Sequence, residues 1–155
     1  MGKYSIMKFY LFITIVSMSF QHMFAQSDSL RYIFYADEIG HQNYFESYTV
    51  FSPSIAQVEY CDSLANVYVQ NNYDSYSWTN KIENYYLYYR QYVGLIDTTG
   101  NKIIFIDAYC RNPYPTKNET KRPFGLVKGG GSCYFNLKVN LDSNECYELK
   151  VNGPK

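Results

Sequence analysis

A two-layer α+β domain is the fold class this sequence predicts: one main amphipathic helix packed on a four-stranded antiparallel meander. Three observations carry it. Apolar residues recur at three- and four-residue spacing after Ser52-Pro53. Two alternating apolar segments flank the turn-forming run Asp97-Thr98-Thr99-Gly100-Asn101. Two more alternate on either side of Leu141-Asp142-Ser143-Asn144. A chain of 155 residues has room for one such domain, and residues 26–155 are assigned to it.

The elements follow in order. Ser27 to Gly40 fits either a helix, through Leu30, Ile33 and Phe34, or a strand over Tyr32 to Tyr35. Gly40 to Asn43 reads as a turn and Tyr44 to Phe51 as extended chain. Ser52 is a favoured N-cap, and Pro53 at the first helical position has no amide hydrogen to lose. Ile55, Val58, Cys61, Ala65 and Tyr68, with Leu64 beside them, form one stripe. Gln57, Glu59, Ser63, Asn66 and Gln70 lie opposite, and the helix ends near Asn71-Asn72. Asn71 to Asn80 is a polar loop holding Trp78.

Tyr88 to Ile96 and Lys102 to Cys110 then form a hairpin, with Gly100 able to take a positive φ. The expected register sets Val93 and Leu95 opposite Ile106 and Ile104 on the inner face, with Ala108 and Cys110 on the same side. Arg111 to Gly131 is a long loop carrying Lys117, Lys121, Arg122 and Lys128. Cys133, Phe135, Leu137 and Val139 alternate with polar residues, and Tyr147, Leu149 and Val151 make the inner face of the last strand.

Composition narrows the function classes. With 46% apolar and 19% aromatic residues, the chain can bury enough surface to fold. Fourteen basic side chains balance fourteen acidic ones, which excludes the basic excess that nucleic acid demands. Residues 1–25 read as a signal peptide: Lys3 and Lys8, an apolar run from Phe9 to Phe20, and Ala25 at the cut. Met7 is a second candidate start. The run is about 12 residues, short of the roughly 20 that span a bilayer. The expected location is periplasmic or secreted, with no membrane association after cleavage.

Four cysteines follow the leader: Cys61, Cys110, Cys133 and Cys146. The meander favours a Cys110–Cys133 bridge between antiparallel neighbours; such a bridge stabilises by about 3 kcal/mol on the chain-entropy account. Cys61 with either partner, or four free thiols, are the rivals, and Cys146 is expected to face outward. No C-x₂-C pair accompanies His41, so neither a metal site nor any cofactor is expected.

No catalytic motif emerges. His41 lies in a turn without a nucleophile motif, and Gly129-Gly130-Gly131-Ser132 lacks the Lys and the helix that a phosphate loop needs. Asp107 is expected on the outer sheet face in a cross-strand pair with Arg90. The candidate binding residues share that face: Arg90, Tyr92, Phe105, Asp107, Tyr109 and Tyr134. Either residues 27–51 cover this aromatic surface, or it meets a protein or glycan. Asn118-Glu119-Thr120 fits an N-glycosylation sequon. Asp28-Ser29-Leu30, Asp62-Ser63-Leu64 and Asp97-Thr98-Thr99 fit a bacterial O-glycosylation pattern.

The order of helix then meander over residues 52–153 resembles cystatin-like α+β domains, and with the leader it looks like small uncharacterised exported bacterial proteins of that shape. Cystatin inhibitors carry Gln-x-Val-x-Gly at a hairpin tip. Here Gln91-Tyr92-Val93-Gly94 has its Gly one place early and within a strand, so protease inhibition is not implied. The expected function is a small exported non-enzymatic binding protein. The alternatives are a hydrolase or transferase using Asp107, Arg90 or His41, or an inhibitor or immunity-type accessory protein.

Overall fold

A computed structural model describes residues 30–39, 43–72, 82, 84–111 and 129–153. The chain divides into two compact units, Met1–Leu30 and Arg31–Lys155, and every element described lies in the second. These elements are strand β1 (Arg31–Phe34), the one-turn helix α1 (Ala36–Ile39), β2 (Thr49–Phe51), the long helix α2 (Ile55–Asn72), β3 (Tyr89–Ile96), β4 (Lys102–Tyr109), β5 (Tyr134–Asn140) and β6 (Glu145–Val151). The leader, the His41 turn, Trp78, most of the cationic loop and the sequon lie outside the described residues.

Helix α2 starts at Ile55, later than Ser52-Pro53 suggested. Ser54 and Gln57 form a reciprocal cap: Ser54 Oγ accepts from the Gln57 amide at 3.2 Å, and Gln57 Oε1 accepts from the Ser54 amide at 2.9 Å. Ser52 instead accepts the Ala36 amide at 3.0 Å, capping α1. The buried stripe of α2 is Val58, Cys61, Asp62, Ala65 and Val69, with Leu64 and Tyr68 at its margins. Ile55, one turn before Val58, is 65% exposed. The unforeseen member of the stripe is Asp62.

The domain is α+β, with one main helix on a mixed sheet of order β1-β3-β4-β5-β6. It is larger than the expected four antiparallel strands. Along one edge of β3, β1 pairs in parallel with residues 90–93 and β2 pairs antiparallel with residues 94–96. An eight-residue strand left bare on one side would expose a row of unpaired amides and carbonyls, so residues 31–51 supply two short strands there. Phe51 lies opposite Gly94. A Cβ at Gly94 would sit 2.5 Å from the Phe51 carbonyl oxygen and 2.9 Å from its ring, so this pairing requires glycine.

The β3–β4 register corrects the sequence-based expectation by one residue. The turn closes through the Asp97 amide on the Asn101 carbonyl at 3.1 Å, and Asp97 Oδ1 accepts the amides of Thr99 and Asn101 at 2.9 Å each. Ile96 then pairs with Lys102, Tyr92 with Ile106 and Arg90 with Ala108. A single-residue slip exchanges every side chain between faces. Val93 and Leu95 therefore lie on the outer face, while Arg90 and Tyr92 point to the helix.

Both faces of β3 and β4 are buried. Under the helix, Val58, Ala65 and Val69 meet Ile104, Ile106, Phe135, Leu137 and Val139. On the outer face, Phe34, Ile39 and Phe45 meet Val93, Leu95, Ile103 and Phe105. The β5–β6 pairing shifts between Asn136↔Lys150 and Lys138↔Tyr147, leaving Glu148 and Leu149 opposite Leu137 as a bulge. That shift corrects the last strand. Tyr147 packs on the outer cluster, and Cys146 packs toward the helix rather than outward.

Cys110 and Cys133 form a disulfide, and the Cys110 amide donates to the Cys133 carbonyl at 2.8 Å. Cys110 itself is exposed, where the inner face was expected. Cys61 and Cys146 are free thiols. Burial pushes Cys61 up to about 12 and Cys146 up to about 11. No helix among the described residues is long and apolar enough to cross a membrane. At pH 8 about a thousandth or less of either thiol is ionised, so neither reacts readily in the folded state. Titration of the unreduced protein with a thiol reagent is expected to find two thiols in denaturant, with buried Cys61 unlabelled and half-buried Cys146 slow in the folded state. Four would contradict the bridge, and rapid native labelling would contradict the burial.

Candidate functional site

The inward turn of Arg90 and Tyr92 has a cause in the helix. Asp62 is buried in the apolar stripe of α2, and its Oδ1 accepts hydrogen bonds from Tyr85 at 2.7 Å and from Tyr92 at 2.6 Å. Its Oδ2 lies 3.4 Å from Arg90 Nη1 and 3.8 Å from Arg31 Nη1, and Arg31 also approaches Glu59 at 4.0 Å. Tyr85 is delivered by a 3-10 turn, Tyr85–Leu87, whose N-cap Asn84 accepts the Tyr86 amide at 3.1 Å. The Arg90 guanidinium is fully buried, with ring centroids of Tyr85 and Tyr86 at 5.0 Å and 5.3 Å. Contacts of this kind reach about 2 kcal/mol when desolvated. No hydrogen bond satisfies its nitrogens among the described residues, so the ion pair and the two rings hold the charge.

The electrostatics agree. Burial raises Tyr85 and Tyr92 well above the ordinary phenol value, reinforced for Tyr92 by the Asp62 charge. For Arg90, burial works against the charge, and Tyr92, Asp62 and the neighbouring tyrosines outweigh it. This cluster joins α2, β1, β3 and the 3-10 turn. Its centre, Asp62 with Arg90, Tyr85 and Tyr92, is buried and serves as a structural core.

The accessible site is on the other side of the sheet. Phe34, Ile39 and residues 44–50 fold over the β3–β4 half of the outer face: Phe45 meets Phe105 edge-on at 5.4 Å, and Tyr44 meets it at 5.9 Å. The cover stops short of the polar β5–β6 half and leaves a groove of 180 Å³ between the two. One wall is Tyr44, Phe45, Tyr48, Leu95 and Phe105. The other is Asn136, Lys138, Glu148 and Lys150. Tyr44 is half exposed, and burial followed by the Asp107 charge raises its phenol.

The polar wall is built by the bulge. Glu148 takes φ +51°, the left-handed region where a bulge ordinarily carries glycine. A residue with a Cβ pays roughly 1–2 kcal/mol there. In return, its carboxylate reaches Lys138 Nζ at 3.0 Å and Lys150 Nζ at 3.5 Å. Lys138 also donates to Tyr48 Oη at 2.9 Å and lies 5.3 Å from the Tyr48 ring centroid. The Lys138 hydrogen bond holds Glu148 below the usual carboxylate range. Burial opposes the Lys138 charge, but its bonds to Tyr48 and Glu148 keep its pKa above the ordinary lysine value.

The six candidate binding residues are thus divided. Phe105 lines the groove beneath its cover. Asp107, Tyr109 and Tyr134 share the outer face, with Tyr109 against Tyr89 at 5.5 Å. Arg90 and Tyr92 lie on the helix side, so the expected Asp107–Arg90 pair does not form: Asp107 pairs with Gln91. The groove residues missed from sequence are Tyr44, Tyr48, Lys138, Glu148 and Lys150. Asn136 and Lys138 fall among the polar positions that alternate with Phe135, Leu137 and Val139, but nothing local marked the bulge.

Among the described residues, no cluster of His, Cys, Asp and Glu could hold a metal ion. The groove offers an aromatic wall, a carboxylate acceptor, two ammonium donors and an amide, a set suited to holding a polar ligand. The chain matches no family model, no curated protein and no solved structure.

The buried phenols set an alkaline limit. Above tyrosine's ordinary value near 10, the unfolded chain loses protons that folded Tyr85 and Tyr92 keep. Their contribution is therefore complete below about pH 10 and declines as pH rises further. Unfolding free energies from urea titrations between neutral pH and about 11.5 should fall less steeply for Tyr92→Phe, by up to about 1.4 kcal/mol per pH unit. Parallel curves for the two proteins would contradict this assignment.

Proposed function

We propose that this is a small exported binding protein without catalytic activity, and that its groove over the outer sheet face holds the recognised group of a protein or glycan partner. The observation that carries the reading is Glu148: a strained backbone position keeps a side chain whose carboxylate lines the groove between two lysines. Strain of this kind is retained where the side chain is used. Export draws support from the leader pattern in residues 1–25 and from the Cys110–Cys133 bridge, which persists in oxidising compartments. We read α2 with β3 to β6 as the cystatin-like arrangement, and β1 and β2 as additions to it. Arg90 and Asp107 stand on opposite faces of the sheet, so those two members of the hydrolase or transferase alternative do not share one site; its third, His41, lies outside the described residues.

Screening the secreted protein against glycan and peptide arrays, with catalytic assays in parallel, tests the reading. Saturable binding is expected, weakened about tenfold or more by Tyr44→Ala and by Lys138→Ala, a loss of at least about 1.4 kcal/mol. Binding indifferent to both substitutions, or turnover of a substrate, would refute it.

A further inference from the structure

We infer that the group taken by the groove is one neutral sugar ring at the end of a glycan, an inference that rests on the binding role proposed above and specifies its ligand. Size is the first constraint. The groove's 180 Å³ is below the roughly 300–1,000 Å³ of sites for drug-sized molecules. The space between its two walls matches one small ring.

Charge is the second constraint. Glu148 sits between Lys138 and Lys150 and is bonded to both. A phosphate or carboxylate entering the groove meets the Glu148 carboxylate, and an ammonium meets the two lysines. Either ion must break the existing pairing to gain its own. A neutral polyhydroxyl ligand leaves the pairing intact, because each hydroxyl can accept from an ammonium and donate to the carboxylate in turn.

The shape of the walls is the third. A pyranose has an apolar face of C–H groups and a rim of hydroxyls. The groove presents Phe105 and half-exposed Tyr44 on one side, and Asn136, Glu148 and Lys150 on the other. Tyr44 stands edge-on to Phe45 at 4.9 Å, which supports its ring at the mouth of the groove. A sugar lying with its C–H face on Tyr44 turns its hydroxyl rim toward the β5–β6 wall. Glu148 is the specificity-determining residue in this arrangement, because it supplies the only carboxylate among the lining residues.

Saturation-transfer NMR on the full mature protein tests this directly. The probes are neutral hexoses, 6-deoxyhexoses and N-acetylhexosamines, with inorganic phosphate, acetate and ethylammonium as ionic controls. At least one sugar should give saturable transfer to its ring C–H protons, with Kd in the millimolar range. Tyr44→Ala should weaken it about tenfold or more. Glu148→Gly should abolish it while leaving the urea midpoint unchanged or higher, since glycine relieves the backbone strain. A folded Glu148→Gly protein that binds sugar normally would overturn the inference, as would the absence of transfer to every neutral sugar. If phosphate, acetate or ethylammonium binds in their place, or only a protein partner binds and remains sensitive to Tyr44→Ala and Lys138→Ala, the sugar assignment fails and the broader binding role stands.

Discussion

A carboxylate placed in the middle of an apolar helix stripe governs this fold. Asp62 must be satisfied where it is buried, and an isolated ionised group in the interior is very costly. Tyr85, Tyr92, Arg90 and Arg31 satisfy it, and they come from three other parts of the chain. Apolar periodicity could not have chosen the inward residues of β3, because Val93 and Leu95 are as suited to a core as Tyr92, and both faces are buried. The charge makes the choice. Arg90 pairs with Asp62, so Tyr92 and Arg90 face the helix and Gln91, Val93 and Leu95 face away.

That choice propagates to the outer surface. With Val93 and Leu95 outward, the far face of β3 and β4 is apolar and needs a cover. Phe34, Ile39 and Phe45 provide it, while strands β1 and β2 pair along the open edge of β3. On β5 and β6 the outward residues are polar and stay uncovered. The boundary between covered and uncovered halves is the groove, and the Glu148 bulge aims a carboxylate into it. Site and scaffold are therefore linked: a one-residue slip of β3 would turn Arg90 to the outer face and take Val93 and Leu95 away from Phe45.

Legibility in the sequence followed the kind of signal involved. The main helix, the two hairpin turns and the Cys110–Cys133 bridge rest on local patterns: spacing, turn residues and the adjacency of strand ends. What escaped depends on residues far apart. The β3 register was misjudged because its arbiter, Asp62, lies some thirty positions away on a helix face that reads as apolar apart from it. Strands β1 and β2 are four and three residues long, too short for periodicity to distinguish from a helix turn. The cap is Ser54 with Gln57, where the sequence reading set it at Ser52-Pro53. The bulge has no sequence mark, since glutamate replaces the glycine that would announce it. The outer aromatic face was recognised, but its content was altered by the register, which removed Arg90 and Tyr92 and left Phe105.

A double-mutant cycle between Asp62 and Arg90, read as urea unfolding free energies, tests the central claim most directly. Asp62→Asn keeps an oxygen for the two phenols and removes only the charge. It should cost about 3–5 kcal/mol by stranding a buried guanidinium. Adding Arg90→Met should recover a large part of that loss, with a coupling energy of about 2 kcal/mol or more. Costs that simply add, within about 0.5 kcal/mol, would mean the pair does not govern the packing of β3 on the helix.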